Sequence, residues 1–436
     1  MNKFEKILEE KLLPLAGKLQ SNKILSSMSS GLLAGMPFMI IGSLALVIQY
    51  PPIDYTTLEP GVLYSIFKGW ADVSAFLGNE LSMIGYGCMD CFALVSAAAV
   101  GYHLGQKEGM KGLSPMVIAL VSFLMVATFD VEMNKSVGYF AGKGLLCALF
   151  CAVISVKMLK FLIDHRFGRI EIAGDQVPPA ITESFITLAP CAVIVIFWAI
   201  VNTACIKLIG TPFTGLINII MNPLTKLMCS PLGICLYAIL TGAGWWCGIH
   251  DSAFGGVYSP FLTAALVANQ EAYALGVSTY ELPNIVSKAT NYPFVQIGGC
   301  GATFALAILL MTVAKSKQCK TVGKLAIVPA FFNINEPLVF GLPIMMNPVM
   351  FVPVAFTGAI NAVIFYVATA INLVPRAMIY PGWNVWGPIG GFIATLSWKG
   401  AVLSLVLIVI DALIYYPFLK LYDNQKLKEE AAEANN

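Results

Sequence analysis

The chain has 436 residues, of which 58% are hydrophobic and only 11% charged, with a formal net charge of +2. Soluble domains carry about 25% charged residues, so the composition excludes an ordinary soluble protein and implies a polytopic membrane protein. The small net charge says little about partners; charge asymmetry between loops matters more, and no nucleic-acid partner is expected.

Residues 1–27 read as a short amphipathic helix lying on the membrane surface in the cytoplasm. Phe4, Ile7, Leu8, Leu12 and Leu15 share one side, and Lys3, Lys6, Lys11, Lys18 and Lys23 make it basic. No cleavable signal peptide is expected, because this stretch has no continuous apolar core. A first span is expected near 28–49, followed by a loop over 50–80 with Asp54, Glu59, Asp72 and Glu80 against Lys68. Further spans are expected near 81–103, 114–129 and 138–156. A polar segment over 157–183 carries Lys157, Lys160, Arg166 and Arg169 and ends in a linker from Asp175 to Pro179. A fifth span covers roughly 184–209. Pro212, Gly215 and Pro223 suggest that 210–230 lies in the interface.

Apolar segments near 231–249 and 251–268 bracket the run GAGWWCGIHDSAFGG. A span near 294–314 contains GGCGA at 298–302 and is followed by Lys315, Lys317, Lys320 and Lys324. The last full spans are expected near 349–373 and 401–419, with WNVWGPIGG between them. Basic residues also cluster at 107–111, 157–169 and 420–428. Placing every basic cluster in the cytoplasm gives about ten crossings with both termini inside. IIMNPL at 219–224 resembles IMMNPV at 344–349, a trace of an internal repeat.

Most of the eleven cysteines, such as Cys147, Cys151, Cys191 and Cys205, sit in apolar runs and read as reduced, buried thiols. Cys88 and Cys91 form a C-x-x-C without nearby His or Cys partners. No metal site and no cofactor are expected.

The stretch Lys324 to Pro348, KLAIVPAFFNINEPLVFGLPIMMNP, is too apolar for an ordinary loop and holds four prolines. Each interior proline removes a donor and breaks a helix. Broken backbone at membrane depth survives only inside protein or against a wet cavity. A re-entrant hairpin is therefore expected, bringing Glu336 to a solute site; intramembrane carboxylates are functional candidates. Glu336 would also cap a half-helix starting at Pro337. His250 lies in GIHDSAFGG, where glycines permit close approach of a ligand. Its neighbour Asp251 reads as a helix cap, a partner of His250, or a ligand contact. Trp383 is the best candidate for stacking on a sugar face, although tryptophan often marks the membrane interface. Asn291, Asn333 and Asn335 offer donors and acceptors to hydroxyls. Carboxylate, imidazole, amides and tryptophan without a basic cluster suit a neutral polyhydroxylated solute, not an anion or nucleotide. No P-loop or nucleophile elbow is present.

AFFNINEPLVFGLPIMMNP, with GIHD at 248–251, GGCGAT at 298–303 and PGW…GPIGG at 381–391, resembles the enzyme IIC sugar permease of the bacterial phosphotransferase system. The closest group is the lactose, cellobiose and diacetylchitobiose type, and the resemblance covers essentially the whole chain. It implies an all-α homodimer of about ten transmembrane helices plus two re-entrant hairpins, in the bacterial plasma membrane. Residues 28–183 would form the dimerisation half and 184–419 the substrate-binding half, with 420–436 a cytoplasmic tail. His250 and Glu336 would contact the sugar hydroxyl that becomes phosphorylated. Cys300, where serine is expected, and Asp251, where a small residue is usual, put sugar specificity in question. The resemblance implies transport of a β-linked disaccharide, cellobiose-like, with phosphoryl transfer only together with a separate IIB subunit, and with IIA and HPr upstream. The chain stops soon after its last span, so no fused IIA or IIB domain is expected. The alternative is an ion-coupled secondary sugar transporter, with Glu336 or Asp90 as a proton site.

Overall fold

A computed structural model describes residues 22–49, 51, 55–57, 59–110, 112–169, 179–247, 249, 251–342, 344 and 347–434. The described residues are helical wherever they are regular, with a single isolated bridge between Phe129 and Lys135. Two compact units emerge. One comprises 21–226 with 259–268, and the other holds 227–258 with 269–436.

In the first unit, helix α1 (Lys23–Gln49) starts five residues before the expected span. Asn22 sets the start: its Oδ1 accepts from the backbone N–H of Ile24 and Leu25 at 2.9 and 3.1 Å. The rest of the amphipathic helix expected over 1–27 lies outside the described residues. The stretch expected to be a loop after α1 instead contains α2 (Val62–Phe76) and α3 (Gly78–Gly85). A π-helical turn, Tyr86–Asp90, then bends the chain by 42° into α4 (Phe92–Lys107). Small residues on α1 permit close packing on α4: a Cβ on Gly35 would lie 2.6 Å from the Phe92 ring.

Helices α5 (Ser114–Ala127) and α6 (Gly142–Asp164) complete an apolar core with α4. Phe92, Val100, Phe123, Leu145 and Val156 are all fully buried there. Helix α7 (Pro179–Ile209) is fastened by polar pins. Trp198 Nε1 donates to Ser155 Oγ at 2.8 Å, and Asn202 Nδ2 donates to the Met125 carbonyl at 3.3 Å. Asn202 Oδ1 also receives the Phe213 N–H at 2.9 Å, at the start of α8 (Phe213–Met228). At one end of the unit a single carboxylate gathers three elements. Glu108, just past α4, lies 2.8 Å from Lys157 of α6 and 3.6 Å from Lys23 of α1.

In the second unit, α9 (Pro231–Trp246) packs on α14 (Pro348–Ala370). Gly242 permits the contact: a Cβ there would sit 3.1 Å from the Ala355 Cα. Trp246 Nε1 donates to the Asn347 carbonyl at 2.6 Å. Between them in the chain come α10 (Ser252–Ala274), whose residues 259–268 belong to the first unit, then α11 (Phe304–Thr312), α12 (Lys317–Phe331) and the short α13 (Glu336–Gly341). The last elements are α15 (Gly387–Thr395) and the long α16 (Trp398–Ala434).

Two sequence expectations need correction. The span expected near 294–314 is not one helix, since Gly298, Gly299 and Gly301 take φ of +83°, +98° and +85° and stop regular helix short of Phe304. The suggested repeat also fails. Asn222 and Pro223 lie within α8, whereas Asn347 caps α14 by accepting from the Val349 N–H at 3.0 Å. Among the described residues, four helices are long and apolar enough to cross a membrane, or up to six if each of two bent pairs is one span. This is the polytopic architecture expected from the composition and the all-α class implied by the resemblance. All eleven cysteines are among the described residues and none is in a disulfide; Cys147, Cys151 and Cys205 are buried as expected, and Cys191 half-buried.

Candidate functional site

The stretch expected to be a re-entrant hairpin folds in the second unit as two helices joined by a turn. Helix α12 ends at Phe331, a tight turn follows, and α13 begins at Glu336 with Pro337 in its first turn. Proline suits that position because the missing N–H would have no helical partner. Asn333, with φ of +60°, makes the turn and then spends its side chain on three backbone partners. Its Oδ1 accepts the Gly298 N–H at 2.6 Å, and its Nδ2 donates to the carbonyls of Trp383 and Val385 at 2.8 and 2.9 Å. One amide thus fastens the glycine loop, the hairpin and the Gly-Trp-Asn segment together.

Asn335 plays a similar part. Its Nδ2 donates to the Cys300 carbonyl at 3.0 Å. The glycine loop allows this approach, because a Cβ on Gly299 would fall 2.8 Å from the Asn335 side chain. The loop is held from behind by Tyr415 of α16, whose hydroxyl donates to the Gly301 carbonyl at 2.6 Å.

Cys300 borders Asp251 and feels the charge of Glu336. It is buried beside Trp245 and Val339. Its thiol is within hydrogen-bonding reach of the Asp251 and Trp245 side chains, and close enough to Glu336 for an electrostatic interaction. Asp251, half-buried just before α10, also interacts electrostatically with Tyr237, Lys288 and Tyr292. Glu336 is half-buried as well. His250 lies outside the described residues. Asn291 is buried, donates to Gln296 Oε1 at 3.1 Å, and keeps its own Oδ1 without a hydrogen-bond partner among the described residues. Gln296 passes the contact on by donating to Thr241 Oγ1 at 2.8 Å. Trp383 is 47% exposed, and its carbonyl is held by Asn333. Its neighbour Trp386 is instead packed, stacked on Phe331 at 5.0 Å.

The structure therefore brings together Glu336, Asp251, Asn335 and Asn333 around the glycine loop. Tyr237, Lys288 and Tyr292 were not singled out from the sequence. A lysine in the apolar run before TNYPF was the one available signal; two tyrosines among sixteen carried none.

A family model described as phosphotransferase system, EIIC, matches residues 29–358, most of the chain. The chain belongs to the phosphotransferase system EIIC family. Among similar members, the lichenan permease IIC component of Bacillus subtilis (strain 168) is 34% identical, over 99% of this chain and 96% of that protein. The cellobiose-specific EIIC component of Geobacillus stearothermophilus is 33% identical, over 99% and 97%. The crystal structure of ChbC, the IIC component of the N,N'-diacetylchitobiose-specific phosphotransferase system, matches with a TM-score of 0.88 and 30% identity, covering 98% of this chain and 99% of that one. This EIIC chain thus carries its NINEP turn and glycine loop on a backbone that follows a solved EIIC structure nearly end to end.

Proposed function

We propose that the chain is the permease of a group-translocation system for a β-linked, cellobiose-like disaccharide. The observation that carries this reading is the fastening of the turn before Glu336 to the Cys300 loop by Asn333 and Asn335, with Asp251 beside the same loop. A half-buried carboxylate at the start of a half-helix is suited to hold a hydroxyl and take its proton. His250 holds the same hydroxyl, and Asn291 and Trp383 contact the rest of the sugar. The family membership and the names of the similar proteins support the substrate class.

The phosphoryl donor is a separate IIB subunit carrying phosphocysteine, recharged by IIA and HPr. In the transfer the S–P bond breaks and an O–P bond forms to the sugar hydroxyl. The hydroxyl proton passes to Glu336, and the cysteine leaves as thiolate. The chain works as a homodimer through its 28–183 half, with substrate in its 184–419 half and both termini in the cytoplasm of a bacterial cell.

Uptake of labelled cellobiose into proteoliposomes tests the reading. Accumulation of sugar phosphate that requires phosphorylated IIB supports it. Uptake driven instead by a proton or sodium gradient, with no phosphorylated product, overturns it. Glu336→Gln should weaken binding about tenfold to a hundredfold, as expected for losing a hydrogen bond to a charged group. It should also slow phosphorylation at saturating sugar by roughly 10²-fold or more if Glu336 is the base. A normal saturated rate would leave it a positioning residue only.

A further inference from the structure

Helix α12 changes character along its length, from KQCKTVGK to LAIVPAF. In the polar half, Lys317, Gln318, Lys320, Thr321 and Lys324 are exposed, while Cys319, Val322 and Gly323 are buried. Lys317, Lys320 and Lys324 stand at i, i+3 and i+7, so they form one stripe about 10 Å long. Among the described residues none of the three has an ion-pair partner. The acids nearest in the fold are otherwise engaged. Asp423 of α16 accepts from the backbone of Lys315 and Ser316 at 2.7 and 2.9 Å, and Glu430 accepts from the Gln318 N–H at 3.2 Å. Residues 315–324 and 420–430 together carry seven lysines against three acids, which leaves the region strongly positive.

The buried side of the same helix reaches the site. Gly323 lets α12 lie against the α11 backbone, where a Cβ would meet the Met311 nitrogen at 2.6 Å. The Val322 methyls are 3.0 and 3.1 Å from the place a Cβ on Gly341 would occupy. Gly341 closes α13, the helix that opens with Glu336. A partner seated on the stripe therefore rests on an element packed directly against the Glu336 helix.

We propose that the Lys317–Lys320–Lys324 stripe is the docking surface for the phosphorylated IIB subunit, whose phosphoryl group makes it an anionic partner. This rests on the group-translocation reading above. Every exposed position on this half of α12 is polar, so it presents no apolar side chain to insert among lipid headgroups, as an interfacial helix does. Charges at the edge of a docking surface act chiefly on encounter rate and salt dependence, so the signature is kinetic.

The test is sugar phosphorylation by the full chain in vesicles, titrated with phosphorylated IIB at low and high salt. The double variant Lys320→Glu/Lys324→Glu should raise the KM for phosphorylated IIB about tenfold at low salt. The defect should shrink at high salt, and sugar binding should stay as in the wild type. Lys320→Gln/Lys324→Gln should show a smaller effect of the same kind, and is the variant to read if charge reversal disturbs folding. An unchanged KM in variants that still bind sugar overturns the docking surface. So does a defect that follows the anionic lipid content of the vesicles and not the IIB concentration. If the wild type forms no product with phosphorylated IIB, the permease reading itself fails.

Discussion

Asn333 shows how a motif residue can be read correctly for position and differently for work. The sequence marks it as polar in an apolar hairpin, which suggests a donor to sugar hydroxyls. In the structure its side chain makes three hydrogen bonds to backbone, and a left-handed φ explains why asparagine stands there. Asn333→Ala should therefore destabilise the protein without sugar present, by about 3 kcal/mol at roughly 1 kcal/mol per lost bond. Thermal unfolding of the sugar-free protein in detergent measures it. An unchanged melting temperature together with weakened sugar binding would return Asn333 to the sugar. Glu336 was legible because a carboxylate beside proline in an apolar run is costly and has few innocent uses. Tyr237 and Tyr292 were not, because their proximity to Asp251 arises from contacts distant in sequence.

The ends of α1, α4 and α6 converge on Glu108, and this convergence carries a pH dependence. The hydrogen bond from Lys157 holds the Glu108 carboxyl below its ordinary value, with Lys23 adding to the effect against some loss from burial. A carboxyl whose folded value is depressed contributes stability that is fully present above its unfolded value and is lost as pH falls through the folded one. Stability should thus decline on the acid side of the ordinary carboxylate range. Glu108→Gln should flatten that part of the decline, which melting temperatures across acidic pH will reveal. An identical acid limb in the variant would remove Glu108 from the account. Helix existence was legible here from apolar runs, since α5 and α7 fall close to the expected spans. The helices α2 and α3 were not, because scattered acids in an apolar stretch resemble a loop. The glycine-rich break after Val295 was misread as part of a span, because hydropathy averages over conformation.

Membrane orientation belongs to the assembled protein. Cys319 sits inside the lysine-rich segment but is fully buried, so its own thiol cannot report sidedness. Gln318 next to it is exposed. Gln318→Cys should resist an impermeant thiol reagent added to intact cells and react in inside-out vesicles, relative to the unsubstituted chain. Labelling from outside would reverse the proposed orientation. The family was legible in full, because NINEP, the glycine loop and the PGW run all fall where the fold puts them side by side. Their joint geometry was not, since it depends on side-chain bonds across 35 to 52 positions of sequence.

The glycine loop also bears on how the chain enters the bilayer during synthesis. Helix α11 has nine residues, about 14 Å of rise against a hydrocarbon core of about 30 Å. The insertion machinery cannot leave so short a segment spanning on its own. The bond that pins the loop ahead of it comes from Asn333, thirty-five residues later, and the brace behind comes from Tyr415, later still. A nascent chain halted before Asn333 holds this loop without either restraint, so the loop is fixed only once residues made after it have arrived.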